Sequence, residues 1–151
     1  MTTLTKQYID DHCINLGISW NQLTEFVVPD SVTEIHDEAF MGCTSLQSIT
    51  ILDNVTTIGF GAFMDCIVLS SITIPNNVTT IGERAFEGCA SLDSITIPDS
   101  VTEIAGWAFE NCTSLTSFNI PHGVTTIADR VFKGCTSLTF INIPDGVTLI
   151  D

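Results

Sequence analysis

The side chains of this 151-residue chain with the means for chemistry are six cysteines, three histidines and 18 carboxylates. Zinc binding needs close pairs such as Cys-x-x-Cys, and none occurs. Cysteines stand at 43, 66, 89, 112 and 135, each 23 residues from the last, with Cys13 outside the series. A repetitive fold could bring two of them within reach of a disulfide. The reading we adopt is a ladder of buried free thiols acting as small hydrophobes. Cys13 is then the thiol expected at the surface. His12, His36 and His122 share no pattern, and there is no His-Glu-x-x-His, Gly-x-Ser-x-Gly or Gly-rich phosphate loop. They read as surface imidazoles. Asp30, Asp53, Asp99 and Asp145 recur in one position, which Asn76 and His122 fill elsewhere. Stacked carboxylates can bind calcium, and the turn preference of aspartate explains the column equally well. Glu34, Asp37 and Glu38, the densest acidic run, read as a solvated loop. We therefore expect no catalytic residue, no metal ligand and no cofactor.

The interval between cysteines is the interval of the whole chain, and long internal periods are the mark of repeat architectures. Phenylalanines at 40, 63, 86, 109 and 132 keep the step of 23. So do leucines from Leu23 to Leu138, valines from Val32 to Val147 and isoleucines from Ile35 to Ile150. Prolines occupy 29, 75, 98, 121 and 144, with Leu52 in the remaining slot. Counted from Leu23, five full repeats run to residue 137 and a partial sixth covers 138–151. The sequence stops partway through that repeat, which leads us to expect a fragment or an unusual end.

Residues 92–114 show the logic of one unit. Ile95 and Ile97 alternate with small polar residues, as in a strand with one face on a core. Pro98 cannot donate to a ladder and stops the strand. Asp99 and Ser100 make a turn. Val101 and Ile104 begin a second, shorter strand. Ala108, Phe109 and Cys112 fall on one edge of a helical turn or two. One unit cannot bury its own apolar face; stacked units can, and each column then becomes an inner ladder.

The pattern Leu-x-x-Ile-x-Ile-Pro-x-x-Val-x-x-Ile-x-x-x-Ala-Phe-x-x-Cys resembles the BspA-like, or treponemal-type, leucine-rich repeat. Leu46, Ile49, Ile51, Val55, Ile58, Ala62, Phe63 and Cys66 match it. Leu52, Phe118 and Val131 depart from it and keep its apolarity. The resemblance implies an α/β leucine-rich-repeat solenoid: right-handed, mostly β, with a parallel sheet on the concave side and short helical turns on the convex side. It also implies a surface or secreted adhesion-type protein, found in bacteria and some protists, that binds host, matrix or other cell-surface proteins. The family has no shared catalytic site.

Residues 1–22 lie outside the repeat, which residues 23–151 make up. Leu4, Tyr8, Ile9, Cys13 and Leu16 fall loosely on one helical face, so residues 3–16 read as a capping helix. Thr3 and Gly17 are its expected ends, and Trp20 is expected to cover the first coil. A decayed repeat or a disordered tail is the alternative. The segment lacks the apolar core of a secretory signal, leaving a cytoplasmic protein or a piece of a longer secreted chain. No run of 18 apolar residues exists, so no membrane insertion is expected. Lys+Arg number 4 against 18 Asp+Glu, a net charge of -14. Lys6, Arg84, Arg130 and Lys133 make no patch, which argues against nucleic acid.

A leucine-rich repeat usually binds through its concave face. The residues expected to bind there are Gln47, Ser71, Asp93 and Thr96, followed by Thr116, Asn119, Phe140 and Asn142. The face is small, polar and nearly uncharged, and Phe140 is its aromatic anchor. Weak or multivalent binding of a protein ligand follows. Phe60 and Trp107 stand where other repeats carry Asp, Glu, Gly or Arg, and with Met41 and Met64 they suggest an apolar patch on the other side. Their folding back onto the coil is the alternative. An open apolar end after Asp151 suggests an end-to-end homodimer. The competing functional reading is a structural or ice-binding ladder without a protein partner, on the hydroxyl rows of Ser48, Thr50, Ser71, Thr73, Ser94 and Thr96.

Overall fold

The computed structural model describes residues 2–151. The chain winds into a parallel β-solenoid, each coil contributing two short strands. The first strand of each coil lies on the concave side: β2 (Glu25–Val27), β4 (Ser48–Thr50), β6 (Ser71–Thr73), β8 (Ser94–Thr96), β10 (Ser117–Asn119) and β12 (Phe140–Asn142). The second strands are β3 (Val32–Ile35), β5 (Thr57–Ile58), β7 (Thr80–Ile81), β9 (Glu103–Ile104), β11 (Thr126–Ile127) and β13 (Leu149–Ile150). Pairing follows the repeat, so that Ser71, Ile72 and Thr73 lie opposite Ser94, Ile95 and Thr96. The concave strands pair as β2–β4, β6–β8 and β10–β12.

Strand burial alternates as the sequence pattern requires. Ser48 and Thr50 are exposed around a buried Ile49. The strand then ends in a turn closed by the amide of the repeat valine, as in Val32 to Pro29 O at 3.0 Å. In the second coil Val55 donates to Leu52 O at 3.1 Å. Leucine substitutes for proline here because the turn uses the residue's carbonyl and not its ring.

The expected helical turns after each second strand are absent. Successive tight turns replace them, and the amides show why. Glu38, Phe40 and Gly42 donate to Phe60, Ala62 and Met64 of the next coil at 2.7–2.8 Å. Ala39, Met41 and Cys43 donate three residues back, to His36, Glu38 and Phe40, at 3.0–3.3 Å. A helix keeps its amides to itself; here every second one ties neighbouring coils together. Two left-handed residues per coil make this alternation possible. Glu38, Gly61, Arg84, Trp107 and Arg130 form one such column, with φ of 53–58°. Gly42, Asp65, Gly88, Asn111 and Gly134 form the other, with φ of 59–76°.

The core is a set of ladders. Phe40, Phe63, Phe86 and Phe109 are fully buried and stack at 5.2–5.3 Å with planes within 8°. Leucine, valine, isoleucine and alanine columns run beside them. Burial weakens along the stack: Cys135, Leu138 and Val147 are partly exposed where their equivalents are buried.

The N-terminal segment differs from the expectation in its first turn. Residues Thr2–Leu4 form a strand, β1, paired with β3, and helix α1 spans Lys6–Leu16. The cap is therefore Thr5, whose hydroxyl accepts from the Tyr8 amide at 3.3 Å, and not Thr3. Leu4, which the helical face had claimed, is buried as a strand residue opposite Ile35. Gly17 ends the helix at φ 70°, in the left-handed conformation glycine favours. Trp20, in a 3₁₀ turn over Trp20–Gln22, packs against Gly42 of the first coil. The Lys6 ammonium sits 4.3 Å from its ring centre.

Candidate binding face

The concave strands turn their alternate residues outward, and this places the expected binding residues. Ser71, Thr96, Asn119, Phe140 and Asn142 lie on strands; Gln47, Asp93 and Thr116 precede theirs by one residue, and all eight are exposed. Asn119 faces Asn142 across β10–β12, and Ser117 faces Phe140. The Thr116 amide and hydroxyl both donate to Asp93 O, at 3.3 and 3.4 Å. The Ser94 hydroxyl donates to the Asp93 carboxylate at 2.9 Å. The stack thus brings Asp93, Thr96, Thr116, Asn119, Phe140 and Asn142 onto adjoining coils. Gln47 and Ser71 stand on two earlier coils. Phe140 is 59 % exposed, a large apolar side chain on an otherwise polar surface.

Phe60 and Trp107 lie on the turn side, two coils apart, and both are half-buried. They do not join into one exposed patch. Trp107 stacks between two guanidinium groups, Arg84 at 5.3 Å and Arg130 at 5.9 Å. Those cations are themselves paired, Arg84 with Glu87 at 2.9 Å and Arg130 with Asp129 at 3.5 Å.

The repeat cysteines are free and face the core. Each thiol from Cys66 to Cys135 donates to the carbonyl of the phenylalanine 26 residues earlier, at 3.1–3.2 Å. Desolvation pushes the Cys43 thiol up to about 12 and the Cys135 thiol up to about 11. Cys66, Cys89 and Cys112 are raised by the same cause. Cys13 is 1 % exposed, against the expectation of a surface thiol. It belongs to the inward side of α1, where it packs on the first coil with Ile9. Cys135, half-buried, is the more accessible thiol. Among the described residues no three His, Cys, Asp or Glu side chains converge. In the aspartate column, hydrogen bonds from the His122 side chain and amide hold the Asp99 carboxyl below its usual range.

The family model described as the BspA type leucine rich repeat region matches residues 18–138 in 6 copies. The chain belongs to the BspA-type leucine-rich repeat family. Members of this repeat class generally act as protein-interaction modules. Solved structures similar to this BspA-type chain are bacterial leucine-rich repeat proteins. A T. pallidum leucine-rich repeat protein is 36 % identical over 85 % of this chain and 60 % of its own, with a TM-score of 0.82. A leucine-rich cell surface protein from Faecalibacterium prausnitzii is 38 % identical over 85 % of this chain and 38 % of its own, with a TM-score of 0.75. A leucine-rich repeat protein from Bacteroides ovatus is 30 % identical over 87 % and 40 % respectively, with a TM-score of 0.64. The chain therefore spans between 38 % and 60 % of the length of these relatives. None of the curated proteins matches it. Among the described residues no helix is long and apolar enough to cross a membrane.

One cleft of this BspA-type chain involves none of the expected binding residues. Tyr8, His12 and Leu16 of α1 face Glu25, Phe26, Val27, Pro29, Ser48 and Thr50 across a cleft of about 460 Å³. The His12 ring meets Phe26 edge-on at 5.2 Å. The signal in the sequence is the spacing of Tyr8, His12 and Leu16, which puts them on one helical face. What that face looks onto depends on how α1 docks, which the spacing does not encode.

Proposed function

We propose that this chain is a non-enzymatic adhesion-type module of a cell-surface or secreted protein, binding a protein ligand through its concave face. The observation that carries the reading is the exposed run of Asp93, Thr96, Thr116, Asn119, Phe140 and Asn142 on adjoining coils. The similar F. prausnitzii protein, described as a cell surface protein, supports the compartment. Small polar residues around one aromatic favour modest affinity at each contact, made useful by repetition. Host and matrix proteins are the ligand class. Immobilised matrix and host-surface proteins should show saturable binding, weakened about tenfold or more by Thr96→Arg with Asn119→Arg. Thr102→Arg, next to second strand β9, should leave it unchanged. Absence of saturable binding to any of them discards the reading.

Self-association belongs to the same reading. Ile143, Leu149 and Ile150 are exposed on the last coil, and β13 pairs with β11 alone among the described strands. Helix α1 covers the first coil, so two copies would meet through residues 138–151. Light scattering at high concentration should then give a dimer mass; a strictly monomeric mass discards this part.

A further inference from the structure

The N-terminal segment completes one sheet and not the other. Strand β1 adds to β3 and extends the sheet of second strands to five, in the order β1-β3-β5-β7-β9. Among the described residues nothing plays that part beside β2, which pairs with β4 alone. The amides tell which groups are left over. The Thr24 carbonyl accepts from Gln47, and the Val28 amide donates to Thr50 O at 2.9 Å, both towards the second coil. In a parallel strand alternate residues turn both backbone groups to opposite edges. Glu25 and Val27 therefore direct theirs to the outer edge. Natural edges are blunted by shortness, charge, proline, bulges or covering elements; β2 is short and carries Glu25, but holds no proline and no bulge. Val27 remains 65 % exposed with α1 close by.

The cleft opens on the concave side of β2 and β4, with α1 as its wall beside this edge. Tyr8 and Leu16 give it an apolar wall, Phe26 and Val27 an apolar floor and rim, and Glu25 a carboxylate. Its described walls hold no lysine or arginine, in a chain of net charge -14. A volume of about 460 Å³ accommodates a few side chains.

We propose that the outer edge of β2 beside α1 takes an extended segment of a partner protein in which apolar and basic residues alternate. The proposal rests on the binding role argued above and adds its place and chemistry. The segment adds one strand to the concave sheet, where main-chain bonds to Glu25 and Val27 supply affinity. Because side chains alternate across a strand, the basic set stands in the cleft beside Glu25 and Val27, where a lysine or arginine meets the carboxylate and its methylene stem packs on Tyr8 and Leu16. The apolar set turns to the side of Phe26, towards the core.

The test uses a fluorescein-labelled Lys-Val-Lys-Leu-Lys-Val peptide and the whole chain, read by fluorescence anisotropy. Saturable binding is expected, with about tenfold loss or more for Leu16→Glu and for Glu25→Lys at unchanged melting temperature. Of two peptides N-methylated on alternate residues, one should lose binding and the other keep it, since only one edge of the added strand is used. Thr96→Arg with Asn119→Arg should leave the peptide bound, which separates this edge from the rest of the concave face. Equal binding of a Glu-Val-Glu-Leu-Glu-Val peptide overturns the proposal, as does equal loss with both methylated peptides. Failure of the peptide to bind, with matrix-protein binding retained, overturns the edge site and leaves the concave reading standing. A dimer that Leu16→Glu abolishes, with no peptide binding, replaces the partner segment by a second copy.

Discussion

Cysteine suits a core column as a small hydrophobe, and its hydrogen-bonding geometry adds to the fit. The thiol is small enough to pack beside the phenylalanine stack and still donates to a carbonyl of the coil before, as Cys89 does to Phe63 O at 3.2 Å. Burial keeps these thiols neutral, and this has a pH signature. The folded pKa values are raised, to about 12 for Cys43 and about 11 for Cys135, above the ordinary value of 9.0. The native state therefore holds its protons longer than the unfolded chain. Stability is fully present below pH 9.0 and is lost as the pH rises towards those values. The urea midpoint should accordingly fall as the pH rises from about 9 towards about 11; a flat profile there contradicts the buried, neutral ladder. A thiol reagent at neutral pH should label Cys135 first and the other five only after denaturation. Fast labelling of Cys13 would show that α1 does not seal the first coil.

At the scale of the element, the turns carry the strain and the strands very little. Glu38 holds φ 57° without glycine's freedom, and its side chain is exposed. Glu38→Gly should therefore stabilise, by about 0.5–1 kcal/mol in a thermal melt. Gly88 holds φ 72°, and a Cβ there would strike the Asp65 carboxylate of the preceding coil. Gly88→Ala should destabilise by about 1–3 kcal/mol, and an equal or higher melting temperature would refute this account of the turn. Thr5→Ala removes the side-chain cap of α1 and should cost about 1 kcal/mol. It should also loosen the cleft wall, because Tyr8 sits in that first turn.

The whole molecule behaves as a one-dimensional stack, in which each coil is stabilised by its neighbours. Phe86 has a stacked ring on either side, at 5.3 Å each. Phe86→Ala should cost about 3–5 kcal/mol by chemical denaturation. Phe132 is half-buried and its ring lies 6.1 Å from Phe109, so Phe132→Ala should cost clearly less. Equal losses would mean that the stack does not weaken along its length. Hydrogen exchange gives the same gradient without mutation: amides of β7 should be protected long after those of β13 have exchanged.

The period of 23 residues determined the coil, the inward columns and the outward faces, because a residue's nearest neighbours in a stack are its own equivalents one repeat away. Ile49, Phe63 and Cys66 point inward, and Asp93 and Asn119 outward, for that reason alone. The local pattern was a poorer guide to the turns. Ala108, Phe109 and Cys112 have helical spacing, but their segment gives every second amide to the next coil, a long-range bond that spacing does not record. Residues 1–22 have no repeat to constrain them, and only the tertiary structure decided that Thr2–Leu4 would pair with β3. That pairing closes one sheet and leaves the amides of Glu25 and Val27 open. The free edge was decided by where the segment docks, since the backbone groups of a strand are the same in any sequence and only their neighbours distinguish them.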